Sequence, residues 1–568
     1  MAAQEGNTLE PATAPTLPVP PIVNSSTSGV TCKSILLHAP QQATAASTAM
    51  LPRKQFADLI NVYFNRSKDE FLISGEHYIP LAHFLDPQGF PARKRSLESR
   101  IERPVVFVHV NNEKEPKTRV LKYDAFGGSA IFSNLAPPDL HSSHIVFMTG
   151  WQTGEWLRVL GAQCHIDPEL FRRHLSFLDN VDFFDLPPLP SKCFSIWRLR
   201  VTTICNRQVE LSRQAVKQGR DTDLEVVKRY QNELNASGVA GSSIIRRYAV
   251  HNEAVFTLEQ DISISVHRKK NGGWLGMVWL DIGSSLEDGP SGPWNNHNNS
   301  PRAATSAFLP RVQQKPNAAL YPPDLEDLIY EQPRNLDRIE SVIGRHSQSA
   351  TLLPMQYGLS LDRDTMWQDA LYAFSDLLNF VASSENQFIN YMEEQVKAAS
   401  RVFRGQEEWS LETLKYSKAL LDEHISNIER TISYLEIEGE PDFPRAMTSP
   451  GLGKSQATRK MLMGDFKYLL AHTKSASAAA REGMAIILED VMLRDARKQI
   501  GQAREVGRLS LLAYFFLPLS LVTSIFGMNF VTFSDWKAAV GTSLAVYIAV
   551  MVISLALAFW DHMPWKRS

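Results

Sequence analysis

A five-residue segment near the C-terminus carries groups suited to binding a cation. Phe526, Gly527, Met528, Asn529 and Phe530 follow an apolar stretch that contains no charged residue. Glycine readily adopts the left-handed conformation that ends a helix, so Gly527 would expose backbone carbonyls and leave the Asn529 amide at the end of that stretch. Mg²⁺ holds its first water shell tightly, and neutral oxygens can bind the hydrated ion and release it. In a symmetric assembly, the segment predicts a polar ring for a hydrated dication.

Two uncharged stretches surround this segment. Residues 509–534 and 538–560 contain no Asp, Glu, Lys or Arg, and each is long enough to cross a hydrocarbon core, which needs about 20 apolar residues. Only Asp535 and Lys537 interrupt the charge-free sequence, so the two stretches predict an antiparallel transmembrane hairpin. The alternative is a pair of buried helices in a soluble domain, although such helices seldom run uncharged for so long.

Basic residues predict the orientation of this hairpin. The residues that precede the first span or follow the second include Arg494, Arg497, Lys498, Arg504, Arg508, Lys566 and Arg567. Because Lys and Arg stay on the cytosolic side of a membrane, both termini are expected in the cytosol. The sequence predicts an integral, multi-pass protein, and we expect it in the plasma membrane.

One face of the first span is a candidate pore lining. The residues on this face are Val506, Leu509, Ala513, Leu517, Ser520 and Ser524, which recur every three or four positions. Apolar rings can gate a pore by losing water, and hydroxyl rings can replace or orient hydration water. A packing stripe of small residues and Ser is equally compatible with this periodicity.

Composition argues against several other classes of protein. The chain of 568 residues has 59 Lys and Arg against 61 Asp and Glu. It therefore lacks the excess of basic residues that would indicate nucleic-acid binding. The four cysteines Cys32, Cys164, Cys193 and Cys205 show no C-x-x-C spacing, which argues against a disulfide framework or a structural zinc site.

An enzyme is the least favoured class. We find no phosphate-binding loop motif and expect no cofactor. Two His-containing pairs that could be imagined as metal ligands are more simply packing or surface groups: His141 with His144, and His165 with Asp167.

The rest of the chain indicates an α+β protein with a mixed α/β cytosolic domain at its N-terminal side, followed by long stalk helices. Runs rich in Val, Ile, Phe and Trp predict strands at residues 105–110, 144–148, 194–205, 255–266 and 274–282. A helical stripe is predicted at Leu421, Ile425, Ile428, Ile432 and Leu435. No proline lies between Pro450 and Pro518, so a long helix is predicted over residues 456–526, beginning as a cytosolic stalk.

These patterns predict eight consecutive segments. They are a disordered tail at 1–52, the α/β domain at 53–283, a disordered linker at 284–320, a helical cytosolic region and stalk at 321–508, the first span with its motif at 509–530, an extracytosolic loop at 531–537, the second span at 538–560 and a basic cytosolic tail at 561–568.

The C-terminal segment resembles the CorA family of divalent-cation transporters, whose hallmark is a Gly-Met-Asn tripeptide at the end of the first of two C-terminal spans. Here Gly527, Met528 and Asn529 occupy that place, after the run Leu517-Pro518-Leu519-Ser520 and before a short loop and a second span. The detailed resemblance covers residues 504–567. It departs from the family after the motif, where Val531-Thr532-Phe533-Ser534-Asp535 replaces a Met-Pro-Glu-Leu stretch and leaves Asp535 as the only acidic residue of the loop.

The resemblance implies a homopentamer in the lipid bilayer, with long stalk helices and a pore lined by the first span. It implies that Asn529 forms the selectivity filter and binds the ion, that Gly527 and Met528 support it, and that the cargo is Mg²⁺, with Co²⁺ or Ni²⁺ also accepted. Influx would be passive, down the membrane potential. Two alternatives stay open: a zinc transporter similar to the ZntB branch, and a non-conducting membrane-anchored protein that senses metal or binds another protein.

Overall fold

The computed structural model describes residues 53–85, 104–113, 118–178, 195–295, 349–436, 443–527 and 536–559, apart from short gaps inside these ranges. The predicted tail at 1–52, most of the predicted linker and the tail after residue 560 lie outside the described residues. The architecture is a mixed sheet with helices on both faces, followed by three long helices and a C-terminal helix. The predicted fold class is confirmed.

Seven strands form the sheet. They are β1 (Pro104–Asn112), β2 (Arg119–Asp124), β3 (Ser142–Thr149), β4 (Ile196–Asn206), β5 (Arg247–Val250), β6 (Val255–Arg268) and β7 (Trp274–Leu280). Their order is β2-β1-β3-β7-β6-β4, and β5 pairs with β6. Only the β3–β7 pair among them is parallel. All five predicted strands are confirmed, whereas the sequence analysis missed β2 and β5.

Fourteen α-helices are described. The first seven are α1 (Arg53–Phe64), α2 (Ile79–Leu85), α3 (Gly128–Phe132), α4 (Gly154–Cys164), α5 (Pro168–His174), α6 (Arg213–Asp221) and α7 (Asp223–Ser237). The others are α8 (Leu353–Gln356), α9 (Arg363–Gln368), α10 (Ala370–Ala373), α11 (Ser375–Ser400), α12 (Glu407–Glu436), α13 (Ser449–Gly527) and α14 (Trp536–Phe559).

The sheet has a separate apolar core on each face. Alternate side chains of a strand point to opposite faces, so Val146 and Met148 of β3 join the core beneath the N-terminal helices, while Ile145 and Phe147 join the core beneath α9 to α13. The long helices approach closely at Gly276 of β7, where a Cβ atom would lie 2.5 Å from the ring of Phe374. The sheet therefore supports the long helices directly.

The helical stripe of α12 differs from the prediction at one position. Leu421, Ile428, Ile432 and Leu435 are buried as expected, but Ile425 is only partly buried and the neighbouring His424 is fully buried instead. His424 can occupy this interior position because charged partners on two other elements compensate for the loss of water.

The start of the predicted linker also differs from the prediction. Leu286, Trp294 and Asn295 are 2%, 2% and 4% exposed, and the ring of Trp294 contacts Tyr230 with ring centroids 4.8 Å apart. The described residues up to 295 therefore belong to the α/β domain, because an aromatic side chain anchors them to its core.

A buried ionic network extends from the face of the sheet that carries the long helices, at His424, to the face that carries α5, at His174. Three arginines meet three carboxylates: Arg198, Arg200 and Arg246 face Glu259, Asp261 and Asp281. Burial alone would raise the pKa values of these carboxyls, but the guanidinium groups hold them below their ordinary range. The balance of charge makes the interior position of these groups tolerable.

His424 connects this network to two of the long helices. Its Nδ1 lies 2.7 Å from Oε2 of Glu385 on α11, and its Nε2 lies 3.5 Å from Oε1 of Glu259 on β6. Burial would lower the pKa of His424, but the charge of Glu385 and the contacts with Glu259 outweigh it and raise that pKa to about 9. His424 is therefore protonated at neutral pH and joins α12 to α11 and to the sheet.

We predict that His424 makes folding stability dependent on pH. Its folded-state pKa of about 9 exceeds the ordinary 6.5, so its contribution is complete below pH 6.5 and is lost as the pH rises towards 9. The variant His424→Gln should lower the free energy of unfolding below pH 6.5 by on the order of 3 kcal/mol. Chemical denaturation of the full chain in detergent, followed by circular dichroism, measures the difference.

The matched control is His141→Gln. His141 pairs with Glu113 at 3.2 Å, and both side chains are about half exposed, so this substitution should leave stability nearly unchanged. A constant difference between wild type and His424→Gln from pH 6 to above pH 9 would contradict the assigned protonation of His424.

Candidate functional site

Helix α13 extends from the core formed with α11 and α12 into the uncharged segment without a break. It contains 79 residues, which corresponds to a length of about 120 Å. Its first half packs against α11 and α12 through buried residues such as Leu462, Phe466 and Ala480. The long stalk predicted from the absence of proline is thus confirmed.

Beyond Ile487 the helix leaves the core. Ile487 is fully buried, and no described α13 side chain is buried again until Pro518. Near the start of this part, Arg494 donates a hydrogen bond of 2.6 Å to Oε1 of Glu407 at the start of α12 and lies 3.0 Å from Asp490. Apolar side chains further along are exposed, including Ile500 at 55% and Val506 at 60%. This part of α13 therefore offers apolar surface that the same chain does not cover.

The two predicted spans are exposed apolar helices in the single chain. The most apolar window of α13 is only 11% buried, and that of α14 is 0% buried. Both helices are long and apolar enough to cross a membrane. A buried helix of a soluble core would be covered by its own chain, so the structure argues against that alternative.

The contacts of the first span divide its surface into two sides. Helices α13 and α14 pack against each other, and Pro518 and Val522 are the buried residues among the described positions 509–525. With successive residues about 100° apart, Pro518 and Val522 lie about 100° and 140° around the helix from Leu517. The side carrying Pro518 and Val522 therefore faces its own hairpin partner.

The predicted pore-facing residues lie on the other side. Measured around the helix axis from Leu517 in the opposite direction, the other five residues predicted to face the pore fall within about 80°. All are exposed in the single chain: Val506, Leu509, Ala513, Leu517, Ser520 and Ser524. The structure thus brings these six residues onto one face of α13 that its own second span leaves uncovered.

Hydroxyl groups near Pro518 are bonded to the helix backbone. The Ser520 hydroxyl donates to the Leu517 carbonyl at 3.0 Å, and the Thr523 hydroxyl lies 2.9 Å from the Leu519 carbonyl oxygen. Pro518 has no backbone N–H, so the carbonyl four residues earlier lacks its usual donor. The Ser520 and Thr523 hydroxyls can remain in an apolar environment because they already donate their protons to backbone carbonyls. Their lone pairs can still accept hydrogen bonds from water.

The motif itself is described only at its start. Helix α13 ends at Gly527, as the sequence predicts, and α14 begins at Trp536. Met528, Asn529 and Asp535 lie outside the described residues, so the filter and the acidic loop residue stay predictions. Trp536 is 73% exposed at the first turn of α14, a place where aromatic side chains often sit at a membrane interface.

The histidines considered above as metal ligands occupy ordinary positions. His144 is buried on β3, and burial lowers its pKa to about 4. His165 ends α4 in a left-handed conformation with φ of 53°, and the Asp167 side chain caps α5 by accepting from the Glu169 backbone at 2.9 Å. Within the described ranges, no group of three or more His, Cys, Asp or Glu residues is arranged to hold a metal ion.

The ionic network is the polar feature that sequence reasoning missed. Its signal was the run Glu259-Gln260-Asp261 between Leu258 and Ile262, in the middle of β6. Glu259 contacts His424 of α12. Asp261 instead meets Arg246 and Asp281, which lie against His174 of α5 on the other face of the sheet. Charged residues at the centre of a buried strand indicate oppositely charged partners, although the sequence does not identify them.

Comparison with known proteins supports the resemblance of the C-terminal segment. The family model described as a CorA-like Mg²⁺ transporter protein matches residues 445–560, which is 116 of the 568 residues. The solved structure of the full-length CmaX protein aligns over 80% of this chain and 99% of its own chain, at 12% identity and a TM-score of 0.26. No curated protein matches the chain. The resemblance inferred from the sequence is confirmed over the matched residues.

We predict that the two sides of the first span differ in access to water. In a chain with Cys32 and Cys193 replaced by serine, Ser520→Cys should react with a membrane-impermeant thiosulfonate at least about tenfold faster than Val522→Cys, because thiolates form only where water is present. Cys164 and Cys205 are buried and can be retained. Labelling rates in reconstituted liposomes measure the difference. Equal rates at the two positions would contradict the assignment of the two sides.

Proposed function

We propose that this chain forms a channel that carries Mg²⁺ into the cytosol. The face of α13 formed by residues 506, 509, 513, 517, 520 and 524 would line its pore. The main support is the position of α14, which packs on the opposite side and leaves this face exposed. A face that holds both apolar side chains and hydroxyls matches the gating and hydration requirements of an ion path.

Conduction requires several copies of the chain. Two membrane helices cannot enclose an aqueous path, and the resemblance to the CorA family implies five subunits. Apolar residues that α13 exposes on its cytosolic part, such as Met492 and Ile500, support contacts between neighbouring stalks. Burying these side chains against a second copy would contribute to stability, since burial of apolar surface is worth about 25 cal/mol per Å².

We further propose that Asn529 is the selectivity filter. A ring of side-chain amides and backbone carbonyls at the pore mouth would bind the hydrated ion through its water shell. Gly527 and Met528 would hold this ring in place, and Asp535 would attract cations from outside. An inside-negative potential of 100 mV favours entry of a dication by about 4.6 kcal/mol, so the potential alone can drive uptake.

The orientation proposed from basic residues places both termini in the cytosol. The described members Arg494, Arg497, Lys498, Arg504 and Arg508 all lie on α13 before or at the start of the uncharged segment. Their charges are expected to remain on the cytosolic side of the bilayer. The α/β domain precedes them along the chain and would therefore lie in the cytosol as well.

The variant Asn529→Ala tests the proposed filter. Purified protein in liposomes with an inside-negative potential should take up Mg²⁺, reported by an enclosed fluorescent indicator. Replacing the amide with a methyl group removes the polar ring, so we expect the initial uptake rate to fall at least about tenfold, equivalent to about 1.4 kcal/mol.

The control variant is Thr523→Ala. Its hydroxyl bonds to the backbone of its own helix, so uptake should stay close to wild type. Wild-type uptake by Asn529→Ala would remove Asn529 from its proposed role. Uptake of Zn²⁺ without Mg²⁺ would favour the zinc transporter, and absence of any divalent flux would favour a non-conducting membrane-anchored protein.

A further inference from the structure

Arginines recur on one face of α13 just before the uncharged segment. Their spacing alternates between three and four residues, with a glycine at one position, so the side chains stay on one side of the helix. The positions are Arg494, Arg497, Gly501, Arg504 and Arg508. With 3.6 residues per turn, these positions fall within a sector of about 80°. A line of positive charge therefore runs along α13 towards Leu509.

Three of these arginines lack an acidic partner among the described residues. Arg494 pairs with Glu407 of α12 at 2.6 Å, whereas Arg497, Arg504 and Arg508 form no ion pair within the described part of the chain. All three are exposed. We call Arg497, Arg504 and Arg508 the arginine stripe, and its charges can pair with a ligand.

The acids that lie near the arginine stripe do not cancel its charge. Asp495 lies 3.8 Å from Lys498, so these two opposite charges balance each other. The other acid between residues 494 and 508 is Glu505. Three arginines against this one carboxylate leave an excess of two positive charges.

The arginine stripe and the proposed pore face lie on opposite sides of α13. Val506 is the pore-face residue that lies within the stripe along the chain. It is about 180° around the helix from Arg497 and about 160° from Arg504 and Arg508. A ligand of the stripe would therefore lie outside the conduit, and the positive charge of the stripe repels a dication.

The position of the stripe along α13 indicates which ligand can reach it. At 1.5 Å per residue, Arg508 and Arg504 lie about 1.5 and 7.5 Å before Leu509, where the uncharged segment begins. The headgroup layer of a bilayer extends about 5–8 Å beyond the hydrocarbon core. Arg497 lies about 10 Å beyond that layer, which is about one Debye length. Two members of the stripe are thus level with lipid headgroups, and the third is close enough to attract them.

We propose that the arginine stripe binds the headgroups of anionic phospholipids in the leaflet next to the stalk. Arg504 and Arg508 would donate paired hydrogen bonds to phosphate and carboxylate oxygens, because the guanidinium fork matches both groups. Arg497 would add attraction at longer range. Clusters of basic residues next to a span attract anionic lipids in this way. The proposal requires that α13 crosses a bilayer, but it does not depend on conduction.

Electron spin resonance of spin-labelled lipids tests the proposal on the full chain reconstituted in phosphatidylcholine vesicles. Lipids in contact with the protein move slowly and give a separate spectral component. The size of this component measures the association of phosphatidylserine relative to phosphatidylcholine. We expect a preference for phosphatidylserine of at least about twofold at low salt. The preference should fall towards one in about 1 M salt, where the Debye length is about 3 Å.

Replacing both headgroup-level arginines, as Arg504→Gln with Arg508→Gln, should abolish the preference. Arg504→Lys with Arg508→Lys keeps the charge and should keep the preference. The matched control is Lys460→Gln with Arg481→Gln, which removes two exposed cations from the same helix. Both lie more than about 40 Å from Leu509, so the preference should stay at the wild-type value. Circular dichroism will show that each variant folds.

Equal association of the two lipids with the wild type would overturn the proposal. Wild-type preference in the glutamine variant, or an equal loss in the control, would overturn it as well. If α13 does not cross the bilayer, neither lipid will show the slow component, and both this proposal and the channel fail. A protein that prefers phosphatidylserine but passes no ions would contradict the channel alone.

Discussion

An uncharged helix that is exposed on almost every side needs apolar surroundings, and the C-terminal part of this chain is governed by that requirement. In water, the exposed surfaces of α13 and α14 would be a large aggregation hazard, whereas in lipid they are at their most stable. The one side of the first span that its own chain covers is the side of Pro518 and Val522. The opposite face, which we propose lines a shared aqueous path, combines apolar residues with Ser520 and Ser524.

The α/β domain is joined to this hairpin by one continuous helix, and a buried set of charges fixes the long helices to the sheet. His424 contacts α11 and β6 from its place on α12, and α12 packs against α13. Breaking a buried ion pair leaves an uncompensated charge, which costs about 3–5 kcal/mol. Movement of the long helices relative to the sheet would therefore have to keep this set of contacts intact. The region suited to bending is the part of α13 beyond Ile487, which leaves the core.

The sequence predicts some features of this structure better than others, for physical reasons. A span is recognisable because the absence of charge over about 20 residues is itself the property that lipid selects. The length of α13 follows from the absence of proline before Pro518. By contrast, β2 has three charged residues among its six and no regular alternation, and β5 has only four residues, so neither gives a clear strand signal. The burial of His424 in preference to Ile425 depends on Glu385 and Glu259, which are distant in the sequence. The side of α13 that packs against α14 likewise depends on tertiary contacts, since periodicity alone is compatible with either side.

We propose that several copies of the first span share one conduit, and the number of chains in the assembly tests this proposal most directly. Native mass spectrometry of the protein, extracted from its membrane together with the surrounding lipid, gives that number without requiring a transport assay. We expect a mass of five chains that persists on dilution. A mass of one chain would contradict it, because a single hairpin cannot surround an ion path.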